Sequence, residues 1–298
     1  MKHFEGTGVA IVTPFRSDAS LDFPSLGKLV EFLLQNKVDY LVVLGTTGES
    51  VTLNKEEKRA VVDYVIEQNN SRVPIVMGMG GNNTHEIVNQ IQKNSMEGID
   101  AILSVAPYYN KPNQKGLFQH YNTIATASPV PVILYNVPGR TGSNILPETT
   151  IELAHKIDNI IGIKEASGNL DAIAYIAKNK PHDFQIISGD DALTIPIISL
   201  GGSGVISVLA NAFPNEVSDI VNLSLKNKFN KACSIYFQFL ELITLLFQDG
   251  NPAGIKAVLH QMNRISNALR LPLTPVQTST YNRITKVLAE IKAGSPEK

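Results

Sequence analysis

A lysine closes an otherwise apolar run at Ile160-Ile161-Gly162-Ile163-Lys164. An ammonium there would lose hydration, and lysine is seldom buried without a reason. The uncharged amine is the form that attacks a carbonyl, so the run offers a Schiff-base nucleophile. A strand-end lysine that snorkels to water fits the same residues. Its neighbour Glu165 is a poor partner, because consecutive strand side chains point to opposite faces. Tyr135, at the start of Tyr135-Asn136-Val137-Pro138-Gly139-Arg140-Thr141-Gly142, offers a phenol for proton transfer, or an aromatic plug with a satisfied hydroxyl. In Gly45-Thr46-Thr47-Gly48, glycines flank two hydroxyls. Such a turn can aim N–H and O–H donors at a carboxylate, although an ordinary strand-to-loop turn looks the same. Arg140 suits bidentate recognition of a carboxylate, against the default of a solvated loop arginine.

The elements that must position these groups are strands and helices in alternation. Apolar runs rich in Val and Ile recur at 8–13, 40–44, 74–78, 101–105, 131–135, 160–164, 185–188 and 204–208. They are nearly continuous rather than alternating, as parallel strands covered on both faces should be. Between them Leu26, Leu29, Val30, Leu33 and Leu34 lay an apolar stripe along a helix. Asn54 with Glu57 reads as a capping arrangement, and Pro147 as a first-turn proline. Eight strand–helix units predict an α/β fold of the (β/α)₈ TIM-barrel type. A doubly wound open sheet would instead need a Gly-rich phosphate turn after the first strand, where Thr13-Pro14-Phe15 stands.

Barrel chemistry gathers at the C-terminal ends of the strands. The segments above fall there, together with Pro107-Tyr108-Tyr109-Asn110-Lys111-Pro112 and Ser188-Gly189-Asp190-Asp191. Gly201-Gly202-Ser203-Gly204 begins the eighth strand instead, on the wrong rim for a phosphate site. Residues 229–248, 254–269 and 278–293 read as three helices. The expected organisation is a catalytic barrel over 1–228 and a helical C-terminal extension, 229–298, packed on it.

With 43% hydrophobic and 18% charged residues in 298, a sizeable core is available and global disorder is excluded. A net charge of −1 gives no electrostatic case for nucleic acid or a membrane surface as partner. No run approaches the roughly 18 apolar residues of a membrane span, and the segment from Met1 to Thr7 has no signal-peptide core. The single Cys233 allows no internal disulfide and reads as a buried small hydrophobe in an apolar helix. A cytoplasmic location is expected. Histidines 3, 85, 120, 155, 182 and 260 show no ligand spacing, so no metal is expected.

Taken together, Gly8-Val-Ala-Ile-Val-Thr-Pro14, Gly45-Thr-Thr-Gly-Glu-Ser50, the Pro107–Pro112 and Tyr135–Gly142 segments, Gly162-Ile-Lys-Glu-Ala-Ser-Gly168 and Leu269-Arg-Leu-Pro-Leu-Thr-Pro275 resemble the dihydrodipicolinate synthases. These belong to the pyruvate-dependent N-acetylneuraminate lyase superfamily. The resemblance covers nearly the whole chain. It implies a lyase that condenses pyruvate with L-aspartate 4-semialdehyde to 4-hydroxy-tetrahydrodipicolinate, in the diaminopimelate route to lysine. Lys164 would form a Schiff base with pyruvate, and the resulting enamine would attack the aldehyde. Tyr135, Thr47 and Tyr109 match a proton relay, Tyr109 coming from a neighbouring subunit of a homotetramer. Thr46 and Thr47 would hold the pyruvate carboxylate, Arg140 the semialdehyde carboxylate, and Gly189 and Ile206 would line the pyruvate pocket. The lysine imine is itself the electron sink, so no cofactor is implied.

Two other readings compete. A lyase cleaving sialic or keto-deoxy sugar acids shares the Lys and the Tyr, and Arg140 argues against it. A catalytically silent sensor or scaffold has no need of the set Lys164, Tyr135, Tyr109 and Thr47. The family's lysine-feedback site maps to Ser50, Val51, Lys55, Lys58, Asn82, Glu86 and Tyr108. Here Lys55 and Lys58 stand where feedback-sensitive members often carry histidines, and Val51 where they carry a small residue. Two cations should repel a cationic amino acid, so weak or absent inhibition by lysine is expected. Asn251-Pro-Ala-Gly-Ile-Lys256 departs mildly from the family pattern and is placed only at a helix start.

Overall fold

Eight strands form at the eight apolar runs, the first starting and ending earlier than the expected 8–13, in a computed structural model that describes residues 4–294. The segment 1–3 and the final 295–298, which the expected barrel and extension limits include, lie outside the described residues. The strands are β1 (Gly6–Ala10), β2 (Tyr40–Val43), β3 (Ile75–Gly78), β4 (Ala101–Val105), β5 (Val132–Asn136), β6 (Ile160–Glu165), β7 (Gln185–Ser188) and β8 (Gly204–Ser207). Each pairs in parallel with its neighbours in chain order, and β1 pairs with β8 to close the barrel. At that seam Gly204, at φ +152°, lies so close to Gly6 that an added Cβ would sit 1.9 Å from the Gly6 carbonyl oxygen. The glycine serves strand pairing on the lower rim.

The helices are α1 (Phe23–Leu34), α2 (Lys55–Asn69), α3 (Thr84–Lys93), α4 (Gln114–Ala127), the single turn α5 (Pro138–Thr141), α6 (Pro147–Lys156), α7 (Leu170–Asn179), α8 (Thr194–Ser199), α9 (Pro214–Leu225), α10 (Phe229–Tyr236), α11 (Leu240–Gln248), α12 (Ala253–Gln261) and α13 (Thr278–Gly294). Asn54 and Glu57 form the expected capping box on α2, at 2.8 and 3.0 Å, and Pro147 opens α6. Alternate strand residues, among them Tyr40, Val42, Leu103, Ile133, Ile187 and Ile206, fill the barrel interior. The outer faces pack on the helices. One continuous cluster joins Leu26, Leu29, Val30 and Leu33 of α1 to Leu242, Leu246, Ile255 and Val258 of α11 and α12. Each such fully buried aliphatic side chain contributes roughly 1.5–3 kcal/mol. The C-terminal helices therefore share a core with the first barrel units.

Three expectations about that extension change. The segment 229–248 is two helices, α10 and α11. Phe239 turns inward against Phe213, ring centroids 4.9 Å apart, so α10 packs on α9 while α11 runs beside α13. The helix expected over 254–269 stops at Gln261. Asn263 adopts the left-handed conformation (φ +56°), with Asn263 N–H donating to His260 O and Arg264 N–H to Leu259 O, both at 2.9 Å. That is a Schellman stop built on Asn rather than Gly. Cys233, expected buried, is half-buried.

Candidate active site

Strand register puts the two central side chains together. Val132 faces Ile160 but Ile133 faces Gly162, so β6 carries one extra residue, Ile161, in a bulge. Beyond it Leu134 pairs with Ile163, and Tyr135 with Lys164. Ile133 and Tyr135 belong to the barrel interior, whereas Leu134 and Ile163 pack outward against the helices. Without the extra residue Tyr135 would oppose Ile163. The bulge is what turns Lys164 inward, a use typical of bulges beside functional sites. Gly162 is required there, since a Cβ would come within 2.7 Å of the Gln185 carbonyl oxygen.

Lys164 is 6% exposed, and its Nζ lies 4.3 Å from the centroid of the Tyr135 ring. Gly189, at the end of β7, keeps room for the lysine stem, because a Cβ would sit 2.9 Å from Lys164 Cε. Glu165 points away, as expected. It is buried, accepts from Asn136 Nδ2 at 2.6 Å and from the Ser167 hydroxyl, and burial pushes its carboxyl up against those bonds. Ile206 is buried in β8. Beyond its end, Asp191 accepts from the Ser207 hydroxyl and from Val208 and Leu209 N–H, fixing the loop that caps the strand. Burial raises that carboxyl as well.

A second wall comes from the turn after β2. Thr46–Gly48 forms one 3₁₀ turn, and Glu49 follows in the left-handed region at φ +52°. Thr46 is exposed at the mouth, whereas Thr47 is buried. Asn251 Nδ2 donates to Thr47 Oγ1 at 3.0 Å. Glu49 pairs with Lys256, both side chains wholly buried. Burial pushes the Lys256 amine down to about 8 against the pull of the Glu49 carboxylate. Arg270 N–H donates to Glu49 Oε2 at 3.1 Å. The Arg270 guanidinium clasps Glu57 at 2.6 and 2.7 Å.

Between the walls lies a cavity of about 480 Å³ whose lining includes Thr46, Tyr135, Arg140, Val105 and Thr141. Lys164, Thr47, Gly189 and Ile206 are not on its surface; the Tyr135 ring, over which Lys164 Nζ sits, is. Arg140 stands exposed on α5, whose Thr141 hydroxyl, donating to Ser143 O at 2.8 Å, anchors the loop. Tyr109 is 89% exposed at φ +71°, its N–H donating to Thr141 O at 3.3 Å. Ser50, Val51, Lys58 and Tyr108 line the same cavity. Asn82 Nδ2 donates to Tyr108 O at 3.3 Å, and Lys55 lies 3.5 Å from Glu86. Burial, and then Lys55, push the Lys58 amine down. The seven residues of the mapped feedback site are thus grouped beside the mouth.

A family profile, the dihydrodipicolinate synthetase family, matches residues 3–291. The chain belongs to the dihydrodipicolinate synthetase family. Its 4-hydroxy-tetrahydrodipicolinate synthase relative from Parabacteroides distasonis is 52% identical over 289 residues, 97% of each chain. Among solved structures, the dihydrodipicolinate synthase of Aquifex aeolicus superposes with a TM-score of 0.94 at 38% identity, covering 97% of this chain and 98% of that one. The chloride-inhibited dihydrodipicolinate synthase of Acinetobacter baumannii, solved with pyruvate, gives 0.94 at 38%, covering 97% and 99%. Within this member of the dihydrodipicolinate synthetase family, residue-by-residue reading missed the β6 bulge, Asp191 as a loop anchor, and the Asn251 and Lys256 contacts. The one signal available for the last two was a lysine inside the apolar helix start Ala253-Gly-Ile-Lys-Ala-Val-Leu259.

Proposed function

We propose that this chain is a Schiff-base lyase that condenses pyruvate with L-aspartate 4-semialdehyde to 4-hydroxy-tetrahydrodipicolinate, a step toward lysine. The observation that carries the reading is the register pairing of Lys164 with Tyr135, with Arg140 on the cavity that Tyr135 lines. Lys164 Nζ attacks the pyruvate ketone carbon, and loss of water leaves an imine. Loss of a methyl proton gives the enamine, which bonds to the aldehyde carbon. Attack of the acceptor's amine on the imine carbon closes the ring and releases Lys164, so one water leaves per turnover. Tyr135, Thr47 and Tyr109 move the protons. Thr46 and Thr47 hold the pyruvate carboxylate with Gly189 and Ile206 behind it, and Arg140 takes the carboxylate of the acceptor.

The working form is a homotetramer in the cytoplasm, with 1–228 as catalytic barrel and 229–298 as its helical extension. The exposure of Tyr109 supports its delivery to a neighbouring subunit's site. Among the described residues no helix is long and apolar enough to cross a membrane. Product formation with aspartate semialdehyde, compared with cleavage of sialic and keto-deoxy sugar acids, tests the assignment. Turnover confined to the sugar acids would replace it.

Ser50, Val51, Lys55, Lys58, Asn82, Glu86 and Tyr108 form the family's feedback position, and its two lysines disfavour a cationic effector. Lysine at low millimolar concentration leaves the steady-state rate nearly unchanged; strong inhibition there contradicts the reading.

A further inference from the structure

The stretch from the end of α11 into α12 makes two contacts with the substrate turn for which the chemistry above has no use. Asn251, 6% exposed, donates from Nδ2 to Thr47 Oγ1 at 3.0 Å. Five positions later Lys256 pairs with Glu49, two positions after Thr47, and also donates to Ala268 O at 2.9 Å. One short segment therefore grips the turn at its middle and just past its end. The grip has a task, because Glu49 holds a left-handed conformation that costs a residue with a Cβ on the order of 1 kcal/mol or more.

The direction of the Asn251 bond matters. A hydroxyl has one proton and two lone pairs. With the Asn251 amide occupying one lone pair, the Thr47 proton is left to donate, and it has no acceptor among the described residues. A carboxylate supplies acceptor oxygens and no donor. A main-chain or apolar neighbour in place of Asn251 would leave the hydroxyl free to rotate or to spend its proton on the protein. Asn251 Oδ1 is itself buried without a hydrogen-bond partner among the described residues, so the amide is placed for its contact with Thr47 and not for a network of its own.

We infer that Asn251 is a positioning residue, acting through Thr47 Oγ1 to hold that hydroxyl's proton ready for the carboxylate of the incoming 2-oxo acid. This rests on the reading of Thr47 as a carboxylate ligand. The Asn251 side chain reaches the site through Thr47, so its effect falls on assembly of the Schiff base and not on recognition of the acceptor through Arg140.

The test is the pyruvate concentration giving half-maximal inactivation by borohydride, which reports Schiff-base formation without the later steps. Asn251→Ala should raise it about tenfold, the net contribution of one hydrogen bond, with the KM for aspartate semialdehyde unchanged. In a Thr47→Val background the same substitution should add nothing, because the atom it acts on is gone. If Asn251→Ala does not fold, as judged by thermal unfolding, Asn251→Leu, of nearly equal size, uncharged and without the amide donor, carries the cycle. Unchanged half-saturation, or an equal rise with and without the Thr47 hydroxyl, overturns the inference. A wild-type protein that shows no pyruvate-dependent inactivation would instead sink the Schiff-base reading beneath it.

Discussion

The two walls of the site are held by different means. The β5–β6 wall, bearing Tyr135 and Lys164, is fixed by the ladder of the barrel itself, aimed by one inserted residue at Ile161. The β2 wall, bearing Thr46 and Thr47, is a 3₁₀ turn with little regular structure of its own. It is braced from outside, by Asn251, Lys256 and Arg270 of the C-terminal region. Lys164 thus inherits the rigidity of the sheet, whereas the Thr46–Thr47 turn borrows its rigidity from residues some two hundred positions away. Damage to the first wall should be read in the chemistry; damage to the second should be read in stability and in binding.

The largest effect belongs to the first wall. Tyr135→Phe leaves ring packing in place and removes the hydroxyl proposed to move protons, so kcat should fall by about 10²–10⁴ with little change in the unfolding midpoint. A rate within a few fold of wild type would make Tyr135 a packing residue. On the second wall, Lys256→Met leaves the wholly buried Glu49 carboxylate without its counter-charge. Breaking such a pair from one side costs about 3–5 kcal/mol, measurable by denaturant unfolding. Adding Glu49→Gln should recover part of that loss; no recovery would show that Lys256 matters for packing and not for its charge.

The smallest effect is a pH dependence of the same brace. The Arg270 guanidinium beside Glu57 holds its carboxyl down to about 2, below the ordinary 4.5. A carboxyl lowered on folding contributes its full stability above 4.5 and loses it as pH falls toward 2. The gap in unfolding temperature between wild type and Glu57→Gln, which keeps the capping hydrogen bonds, should therefore be constant from pH 7 to about 5 and close between about 4.5 and 2. A gap that does not close across that window would detach the brace from the Glu57 charge.

Legibility in the sequence follows the same division. Strand positions and Lys164 at a strand end could be read from local patterns, because parallel strands declare themselves within a few residues; the segment around Arg140, read as an irregular loop, is instead the helical turn α5. The bulge could not be read that way. In a strand as uniformly apolar as Ile160-Ile161-Gly162-Ile163 no alternation marks inside from outside, so an inserted residue leaves no trace. The Asn251–Thr47 bond joins residues 204 apart in the chain, and nothing local about either predicts the other. The break at Phe239 was hidden for a related reason: the apolar run is continuous, and the turn answers to Phe213 on another helix. The Asn263 stop lacked the glycine that usually signals one.

The central claim is that Lys164 is the nucleophile and a 2-oxo acid its partner. Incubation with pyruvate and borohydride, followed by proteolysis and mass spectrometry, tests it directly. The account predicts a single lactyl-sized adduct on the peptide containing Lys164, none without pyruvate, and none in Lys164→Ala. No adduct, or one carried by a different lysine, would contradict it.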